Sequence, residues 1–307
     1  MLLERMLPFL GSFRDQVVVV TGASSGIGRE TALAFGRAGA RVALLARRRK
    51  LLEELAAAIR ASGGKALALP VDVGDQHAVR DAVARIRRTW RRIDVLVNNA
   101  GVLVPATVAR MDVADLERMM RVNFLGAVHT IRAVLPAMQR QGRGAIINVA
   151  SLAGRRGLTP VGGYCATKFA LVGLTEALRT EVDSAKIHVG LVMPGAVDTP
   201  MVRDVDQAAA LPEWPAALNM PTDWVAAAIL LAVRFRLHEV SVPPGATTLE
   251  IIGSLAPGAT DALIGWMAAA GRLLNRAGSL IRGPAPHRSA RTRTRRRKRT
   301  AAADSRG

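Results

Sequence analysis

Cysteine and tyrosine are nearly absent from this sequence, with one of each among 307 residues. A single cysteine, Cys165, excludes an intramolecular disulfide and a cysteine-rich zinc site. Its place in a helical pattern favours a small buried side chain over a nucleophile. Aromatic residues are also scarce, at 4%, which suits close packing of helices on a sheet better than an aromatic binding surface.

Long hydrophobic runs are missing as well. No window reaches the roughly 18 apolar residues that a membrane-spanning helix needs. The apolar start of the chain is interrupted by Glu4, Arg5 and Pro8, which is not the pattern of a signal peptide. We therefore expect a cytoplasmic protein without a transmembrane segment, with peripheral contact at a membrane surface left open.

Acidic residues are outnumbered by basic ones, 24 to 43, which gives a net charge of +19. Much of the excess lies at the end of the chain, where residues 283–307 contain the run RTRTRRRKR. This composition predicts a disordered basic tail. An inert, solvated tail is favoured over weak contact with anionic lipid or nucleic acid. Because no aromatic residues are interleaved with the arginines, any binding of nucleic acid would be electrostatic and salt-sensitive. The histidines show no metal-ligand spacing, so no metal site is predicted.

Short apolar runs alternate with helical patterns along most of the chain. Strands are predicted at 16–20, 41–46, 65–71, 93–98, 144–150, 187–193 and 239–242. Helices are predicted after the glycine-rich segment through 38, at 47–61 and 75–90, from Asp112 or Asp115 towards 138, around Tyr164 and Lys168 to about 184, and from Thr222 onward. This alternation predicts an α/β fold with a doubly wound parallel sheet of about seven strands and helices on both faces.

The composition shows no break between residues 14 and 245, which indicates a single domain. Residues 1–13 are interpreted as an apolar lead-in, and 246–282 as a helical extension ahead of the tail. Residues 202–221 are predicted to form a lid over the substrate. Its apolar side chains suggest an apolar substrate, although an ordinary packed loop fits the same residues; they are Leu211, Trp214, Leu218 and Met220.

A glycine-rich segment, TGASSGIG at residues 21–28, lies between the first predicted strand and the first helix. Glycines there let the main chain turn sharply and approach a pyrophosphate, and the helix N-terminus offers free N–H donors. This position favours a dinucleotide site over a merely tight turn.

The second predicted strand ends in Ala46-Arg47-Arg48-Arg49, without an acidic residue. An acid at this point accepts hydrogen bonds from the adenosine ribose, whereas an arginine accommodates a 2′-phosphate. Cations are also unfavourable at a helix N-terminus, which weakens the interpretation as an ordinary surface helix. The sequence thus favours NADP(H) over NAD(H).

The stretch at 151–168 offers the hydroxyl of Ser151, the phenol of Tyr164 and the ammonium of Lys168. Tyr164 and Lys168 are four residues apart and share a helix face. A phenol titrates near pH ~10, so a nearby cation is needed to make it an acid-base group near neutrality. Taken alone, this pair is more often structural.

Together these motifs resemble the short-chain dehydrogenase/reductase family over about residues 14–243. The resemblance rests on residues 21–28, Asp72-Val73, Asn98-Asn99-Ala100-Gly101, Asn123, Ser151, Tyr164, Lys168 and Pro194-Gly195, in the family's order and spacing. It implies a Rossmann-like domain that assembles as a homodimer or homotetramer. The long C-terminal extension departs from the family pattern.

The resemblance also implies roles for single residues. Tyr164 is the general acid in reduction and the base in oxidation, Lys168 holds the nicotinamide ribose and lowers the Tyr164 pKa, Ser151 holds the substrate oxygen, and Asn123 orders a proton-carrying water. The implied cofactor site consists of Gly22, Ser24, Ser25, Gly26, Ile27, Gly28, Arg47, Asp72, Val73, Asn99, Ala100, Gly101, Tyr164, Lys168, Pro194, Gly195, Val197 and Thr199.

The sequence thus predicts an NADP(H)-dependent oxidoreductase that interconverts a carbonyl and an alcohol. A non-catalytic NADP(H)-binding regulatory or redox-sensing protein is the alternative. The complete set of Asn123, Ser151, Tyr164 and Lys168 speaks against it, because a binding module does not need these side chains.

Overall fold

Seven strands form the centre of the protein, and most of their side chains are valine, leucine, isoleucine or alanine. The computed structural model describes residues 12–184, 186–203 and 219–246, together with residues 256, 258, 259 and 262. The strands are β1 (Val17–Thr21), β2 (Arg41–Ala46), β3 (Lys65–Pro70), β4 (Val95–Asn98), β5 (Gly144–Val149), β6 (Ile187–Pro194) and β7 (Glu239–Val242). Strands β1 and β6 are buried along their whole length, as expected for a sheet that is covered on both faces.

The strands form one sheet in the order β3-β2-β1-β4-β5-β6-β7. Every neighbouring pair is parallel. Between β1 and β4 the order of the chain reverses, so the loops after these strands turn to opposite sides. In open parallel sheets this reversal opens a crevice at the carboxyl ends of the strands, where ligands bind.

Seven α-helices have both ends within the part of the chain that the structure describes, and six of them pack on the two faces of the sheet. They are α1 (Gly26–Arg37), α2 (Arg49–Ala61), α3 (Gln76–Trp90), α4 (Val113–Met120), α5 (Gly126–Gln141), α6 (Gly162–Glu181) and α7 (Thr222–Arg234). Helices α1, α2 and α7 share one apolar core, and α3, α5 and α6 contribute to the other. The predicted Rossmann-like fold with helices on both faces is therefore confirmed.

Strand β1 shows how one short apolar run serves both cores. Val18 and Val20 point into the core beneath α1, α2 and α7, while Val17 and Val19 point into the core beneath α3 and α5. Successive strand side chains face opposite sides, so a strand buried on both faces must be apolar at every position. This is why the run was recognisable in the sequence.

The helix predicted from Asp112 or Asp115 to residue 138 is present, contains a π-helical turn and extends to Gln141. Asp112 is the N-cap and accepts a hydrogen bond of 2.9 Å from the Ala114 N–H, so α4 begins there and not at Asp115. Between α4 and α5, residues Arg121–Leu125 form a π-helical turn. Such turns are rare and are frequent at functional sites.

Several sequence predictions fall on residues outside the described ranges. These are most of the lead-in at 1–13, the central part of the lid at 202–221, nearly all of the extension at 246–282 and the tail at 283–307. They stay predictions. Within the described ranges, no helix combines the length and hydropathy that crossing a bilayer requires.

Candidate active site

A cleft of about 250 Å³ lies at the carboxyl ends of the central strands. Nearly all the predicted site residues line it; Gly28 and Asn123 are the two that do not. The lining residues comprise Gly22, Ser24, Ser25, Gly26, Ile27, Arg47, Asp72, Val73, Asn99, Ala100, Gly101, Ser151, Tyr164, Lys168, Pro194, Gly195, Val197 and Thr199, joined by Arg48, Val102, Val122 and Val149 among others. The structure therefore brings together residues that lie far apart in the chain, from Gly22 to Thr199.

The glycine loop after β1 has a shape that only glycine allows. Gly22 and Gly26 have φ angles of +67° and +55°, which side-chain-bearing residues rarely adopt. A Cβ on Gly28 would lie 2.5 Å from the Gly22 carbonyl oxygen. Gly28 is thus buried beneath the loop, where it lets helix α1 approach β1 closely instead of facing the cleft.

Thr21 joins the glycine loop to the loop that follows β4. Its Oγ1 accepts hydrogen bonds from the N–H groups of Asn99 and Ala100 at 2.9 and 3.0 Å. The Asn99 side chain returns a 3.0 Å bond to the Thr21 carbonyl oxygen. These contacts fix the two loops on either side of the point where the strand order reverses.

Two of the three consecutive arginines after β2 line the cleft. The Arg48 guanidinium donates to Ser24 Oγ at 2.8 Å and to Ser25 Oγ at 2.6 Å, over the glycine loop. Arg47 is exposed in the lining beside it, whereas Arg49 forms an ion pair of 3.7 Å with Glu53 within helix α2. The sequence prediction named Arg47 alone and missed Arg48, because three adjacent arginines carry no signal for which of them turns inward.

These features fit a dinucleotide. Glycines with positive φ let the main chain approach a pyrophosphate, and helix α1 points its N-terminus at the same loop. The cations of Arg47 and Arg48 lie at the end of the cleft where a 2′-phosphate on the adenosine ribose would be placed by this type of fold. On the far side, Thr199 closes over Gly26, with Thr199 Cγ2 3.2 Å from the position of a Cβ on that glycine.

Ser151, Tyr164 and Lys168 meet at the cleft wall formed by β5 and α6. Ser151 follows β5 closely, and its Oγ accepts a hydrogen bond from the Ala153 N–H at 3.1 Å. Tyr164 lies in the first turn of α6, and Lys168 follows one turn later. The Lys168 Nζ donates to the Val149 carbonyl oxygen at 2.9 Å and lies 5.5 Å from the centroid of the Tyr164 ring.

Burial shifts the pKa values of both groups away from their ordinary ranges. It raises the pKa of the Tyr164 phenol, and a hydrogen bond with Ser151 acts in the opposite direction. It lowers the pKa of Lys168, which is 3% exposed, to about 8. In the protein without cofactor, the loss of water around the phenol thus holds the Tyr164 pKa above its ordinary value. The lowering of this pKa by Lys168, which the family resemblance implies, stays a prediction.

Asn123 lies in the π-helical turn and is almost fully buried. Its Oδ1 accepts from the Val102 N–H at 2.7 Å, and its Nδ2 donates to the Val102 carbonyl oxygen at 2.9 Å and to Thr167 Oγ1 at 3.0 Å. The side chain therefore ties the loop after β4 to helix α6 between Tyr164 and Lys168. With these bonds made inside the protein, the water-ordering role of Asn123 stays a prediction.

The arrangement is chemically suited to handling a proton at an oxygen atom. A phenol and a hydroxyl converge on one wall, a buried ammonium lies behind them, and the glycine loop lies at the opposite end of the cleft.

Comparison with known proteins agrees with this geometry. The model of the short chain dehydrogenase family matches residues 16–210.

Individual relatives cover most of the chain. It is 36% identical over 261 residues to the uncharacterized oxidoreductase YxnA of Bacillus subtilis, covering 83% of this chain and 73% of that protein. It is 32% identical over 257 residues to the ketoacyl reductase HetN of a Nostoc species, covering 82% and 88%.

A solved structure shows the same likeness. The short-chain type dehydrogenase/reductase from Mycobacterium marinum superposes with a TM-score of 0.70 at 31% identity, over 76% of this chain and 95% of that one. The fold, the cleft and the matched residues lead to one conclusion: the chain belongs to the short-chain dehydrogenase family of oxidoreductases, which use NAD or NADP.

Proposed function

We propose that this protein is an NADP(H)-dependent oxidoreductase that interconverts a carbonyl and an alcohol by hydride transfer. The observation that carries the proposal is the convergence of Ser151, Tyr164 and Lys168 on one wall of a cleft that has the glycine loop at its other end. A protein that only binds a dinucleotide does not need the side chains of Ser151, Tyr164 and Lys168 together.

In the proposed reaction, the Tyr164 hydroxyl donates a proton to the substrate oxygen during reduction and takes it back during oxidation. Ser151 gives that oxygen a second hydrogen bond as negative charge develops on it. Because burial raises the pKa of Tyr164, the phenol holds its proton at neutral pH. The protonated phenol is the form that donates in reduction, and the reverse reaction needs the phenolate.

The bound cofactor supplies the hydride. Residues of the chain hold the cofactor at its adenosine end and at its nicotinamide end. The residues proposed for this task are those of the glycine loop (Gly22, Ser24, Ser25, Gly26, Ile27 and Gly28), Arg47 with Arg48, Asp72 with Val73, Asn99 to Gly101, Lys168, and Pro194, Gly195, Val197 and Thr199. Gly28 contributes by allowing the loop its shape.

We propose an apolar substrate. Tyr164 packs against a small apolar cluster of Ala153, Val161, Cys165 and Leu103. The loops that carry Ala106 and Val161 pair with each other beside this cluster. In the cleft itself, apolar lining comes from Val102, Met201 and Val202. Such a lining stabilises an apolar substrate by removing apolar surface from water, and it offers few polar atoms to a sugar.

A screen of NADPH consumption tests the function. We expect steady oxidation of NADPH with apolar ketones, quinones, acyl thioesters or aliphatic aldehydes, and little with sugars. A panel that spans these classes, followed by absorbance of the reduced cofactor, gives the rates. The absence of turnover with every class in either direction would favour the regulatory alternative.

Cofactor choice is tested by changing the two cleft-lining arginines. We expect Arg47→Asp and Arg48→Asp each to lower kcat/KM for NADPH by about 10- to 100-fold, the range set by losing one or two charge-assisted hydrogen bonds. The kcat/KM for NADH should rise or remain unchanged, because a carboxylate accepts hydrogen bonds from the ribose. Steady-state kinetics with both cofactors measure the ratio.

Arg49→Asp is the matched control, since Arg49 belongs to the same run but pairs with Glu53 on helix α2. It should leave the ratio near that of the wild type. An unchanged NADPH-to-NADH ratio in both cleft variants would refute the preference for NADP(H) and leave hydride transfer itself untouched.

A further inference from the structure

We propose that Arg155 is a positioning residue for Ser151, which it holds at bonding distance from the substrate oxygen through two carboxylates. The inference rests on the proposed function, since it assumes that Ser151 bonds the reacting oxygen. Arg155 does not line the cleft. With Glu176 and Glu239 it forms a charged cluster behind the turn that carries Ser151, and the proposal gives this cluster a task.

The turn that carries Ser151 has little stability of its own. It is a single 3-10 turn, Leu152–Gly154, in which Gly154 N–H bonds the Ser151 carbonyl oxygen at 2.8 Å and Arg155 N–H bonds that of Leu152 at 2.9 Å. One such turn fixes few bonds for the main-chain freedom that it loses. Its place in the molecule therefore depends on contacts with neighbouring elements.

Arg155 supplies two of these contacts from one nitrogen. Its Nη2 donates to Glu176 Oε1 at 2.8 Å and to Glu239 Oε2 at 2.9 Å. Glu176 lies on α6, about two turns after Lys168, and Glu239 is the first residue of β7. One guanidinium thus joins the Ser151 turn to the helix of Tyr164 and to the edge strand.

Gly154 shows how closely the turn lies against α6. A Cβ on Gly154 would be 3.0 Å from the Lys168 carbonyl oxygen and 3.1 Å from its carbonyl carbon. The turn therefore rests on the main chain of Lys168 at Gly154, and the next residue, Arg155, anchors it further along the same helix. Ser151 and the Tyr164–Lys168 pair are held as one unit.

The ion pairs matter for geometry more than for stability. Arg155 is 26% exposed and the two glutamates 47% and 28%, and pairs this exposed contribute about 0–1 kcal/mol to folding. A hydrogen-bond donor, in contrast, acts only within ~2.6–3.2 Å of the oxygen that it serves. A small shift of the turn leaves the fold intact and weakens the Ser151 bond.

A double-mutant cycle tests the proposal. We expect Arg155→Ala to lower kcat by about 10- to 100-fold, as for a reacting group displaced by about 1 Å, while the dissociation constant for NADPH stays the same. In a Ser151→Ala background, Arg155→Ala should cause no further loss of kcat. Arg155→Lys, which keeps the charge, should recover part of the rate.

Arg41→Ala is the matched control. Arg41 forms an ion pair with Asp15 at 2.6 Å, is 28% exposed and lies at the start of β2, away from the cleft. It should leave kcat unchanged. If Arg155→Ala does not fold, as judged by thermal unfolding, the pair Glu176→Gln and Glu239→Gln replaces it in the cycle with the same expected result.

Two outcomes overturn the proposal: a kcat for Arg155→Ala equal to that of Arg41→Ala, or the same fold-loss whether Arg155→Ala is made in the wild type or in the Ser151→Ala background. Either leaves the proposed function standing if Tyr164→Phe is inactive. Full activity of Tyr164→Phe would instead remove the function on which the inference rests.

Discussion

Replacing Tyr164 with phenylalanine is expected to lower kcat by about 10²- to 10⁴-fold, the usual contribution of a positioned acid-base group. Phenylalanine keeps the ring that packs against Val161 and Leu103 and removes only the oxygen. The fold and the affinity for NADPH should therefore stay as in the wild type. Steady-state kinetics and equilibrium binding of NADPH measure the two effects separately.

Cys165→Ala provides a neighbouring control for this variant. Cys165 is buried beside Tyr164 in the same apolar cluster, where its sulfur accepts a hydrogen bond from the Leu158 N–H. It has no proposed part in the chemistry, so its replacement should leave kcat near the wild-type value. Retained turnover in Tyr164→Phe would contradict the proposed proton transfer.

The same phenol can be titrated directly, because Tyr164 is the only tyrosine in the chain. Burial raises its pKa. We therefore expect the ultraviolet absorbance of phenolate to appear only above the ordinary range of a tyrosine, near pH ~10, in the protein without added cofactor. Titration at or below that value would show that Lys168 dominates over burial.

Lys168→Met is expected to lower kcat by about 10²-fold or more and to weaken NADPH binding as well. Methionine fills a similar volume without the ammonium group. It leaves the Val149 carbonyl oxygen without its hydrogen bond from Nζ and removes the cation behind Tyr164. Kinetics and binding together distinguish this variant from Tyr164→Phe, which should affect kcat alone.

The pH dependence gives a further test of Lys168. Burial lowers its pKa to about 8, so the ammonium is present below that pH and lost above it. The rate of reduction by the wild type should fall as pH rises through about 8, and Lys168→Met should lack that step. A flat wild-type profile across this range would contradict a role for the charge.

The free energy of unfolding depends on pH in the opposite direction to the rate of reduction. The unfolded chain keeps the lysine proton up to pH ~10.4, whereas the folded protein releases it near 8. Between these values the unfolded state binds more protons, so the free energy of unfolding rises with pH. Below this window the buried charge costs stability, and Lys168→Met should melt at a higher temperature than the wild type at neutral pH.

The central strands were predictable because strands buried on both faces, such as β1, are apolar at every position. The edge strand β7 is only partly buried and contains polar residues. Runs such as 41–46 and 239–242 have the bounds that the sequence indicated, and the others differ by one or two residues. Most residues that line the cleft were named in advance through the family resemblance, which rests on the order and spacing of the motifs. These signals are local, and burial within the sheet follows from them directly.

The π-helical turn at Asn123 could not be read from the sequence. An extra residue in one turn changes the direction of Asn123 without removing the apolar pattern of the helices on either side. Arg155 was missed for another reason. Its partners lie 21 and 84 residues away, and exposed charges carry no sequence pattern that would pair them.

The pKa of Tyr164 is another property that could not be predicted from the sequence. A lysine four residues away is visible in the sequence, but the depth at which the helix packs is a property of the folded chain. Burial raises the Tyr164 pKa and lowers that of Lys168. Both shifts follow from the loss of water around charged groups, which the spacing of the two residues does not reveal.

Transfer of deuterium tests the central claim most directly. The protein is incubated with NADPH carrying deuterium at C4 of the nicotinamide, on either face in separate reactions, and with the carbonyl compound that is reduced fastest in the screen. Mass spectrometry of the alcohol should show one deuterium on the former carbonyl carbon with one of the two labelled cofactors, and Tyr164→Phe should form almost no product. Consumption of NADPH without deuterium in the alcohol would contradict the account.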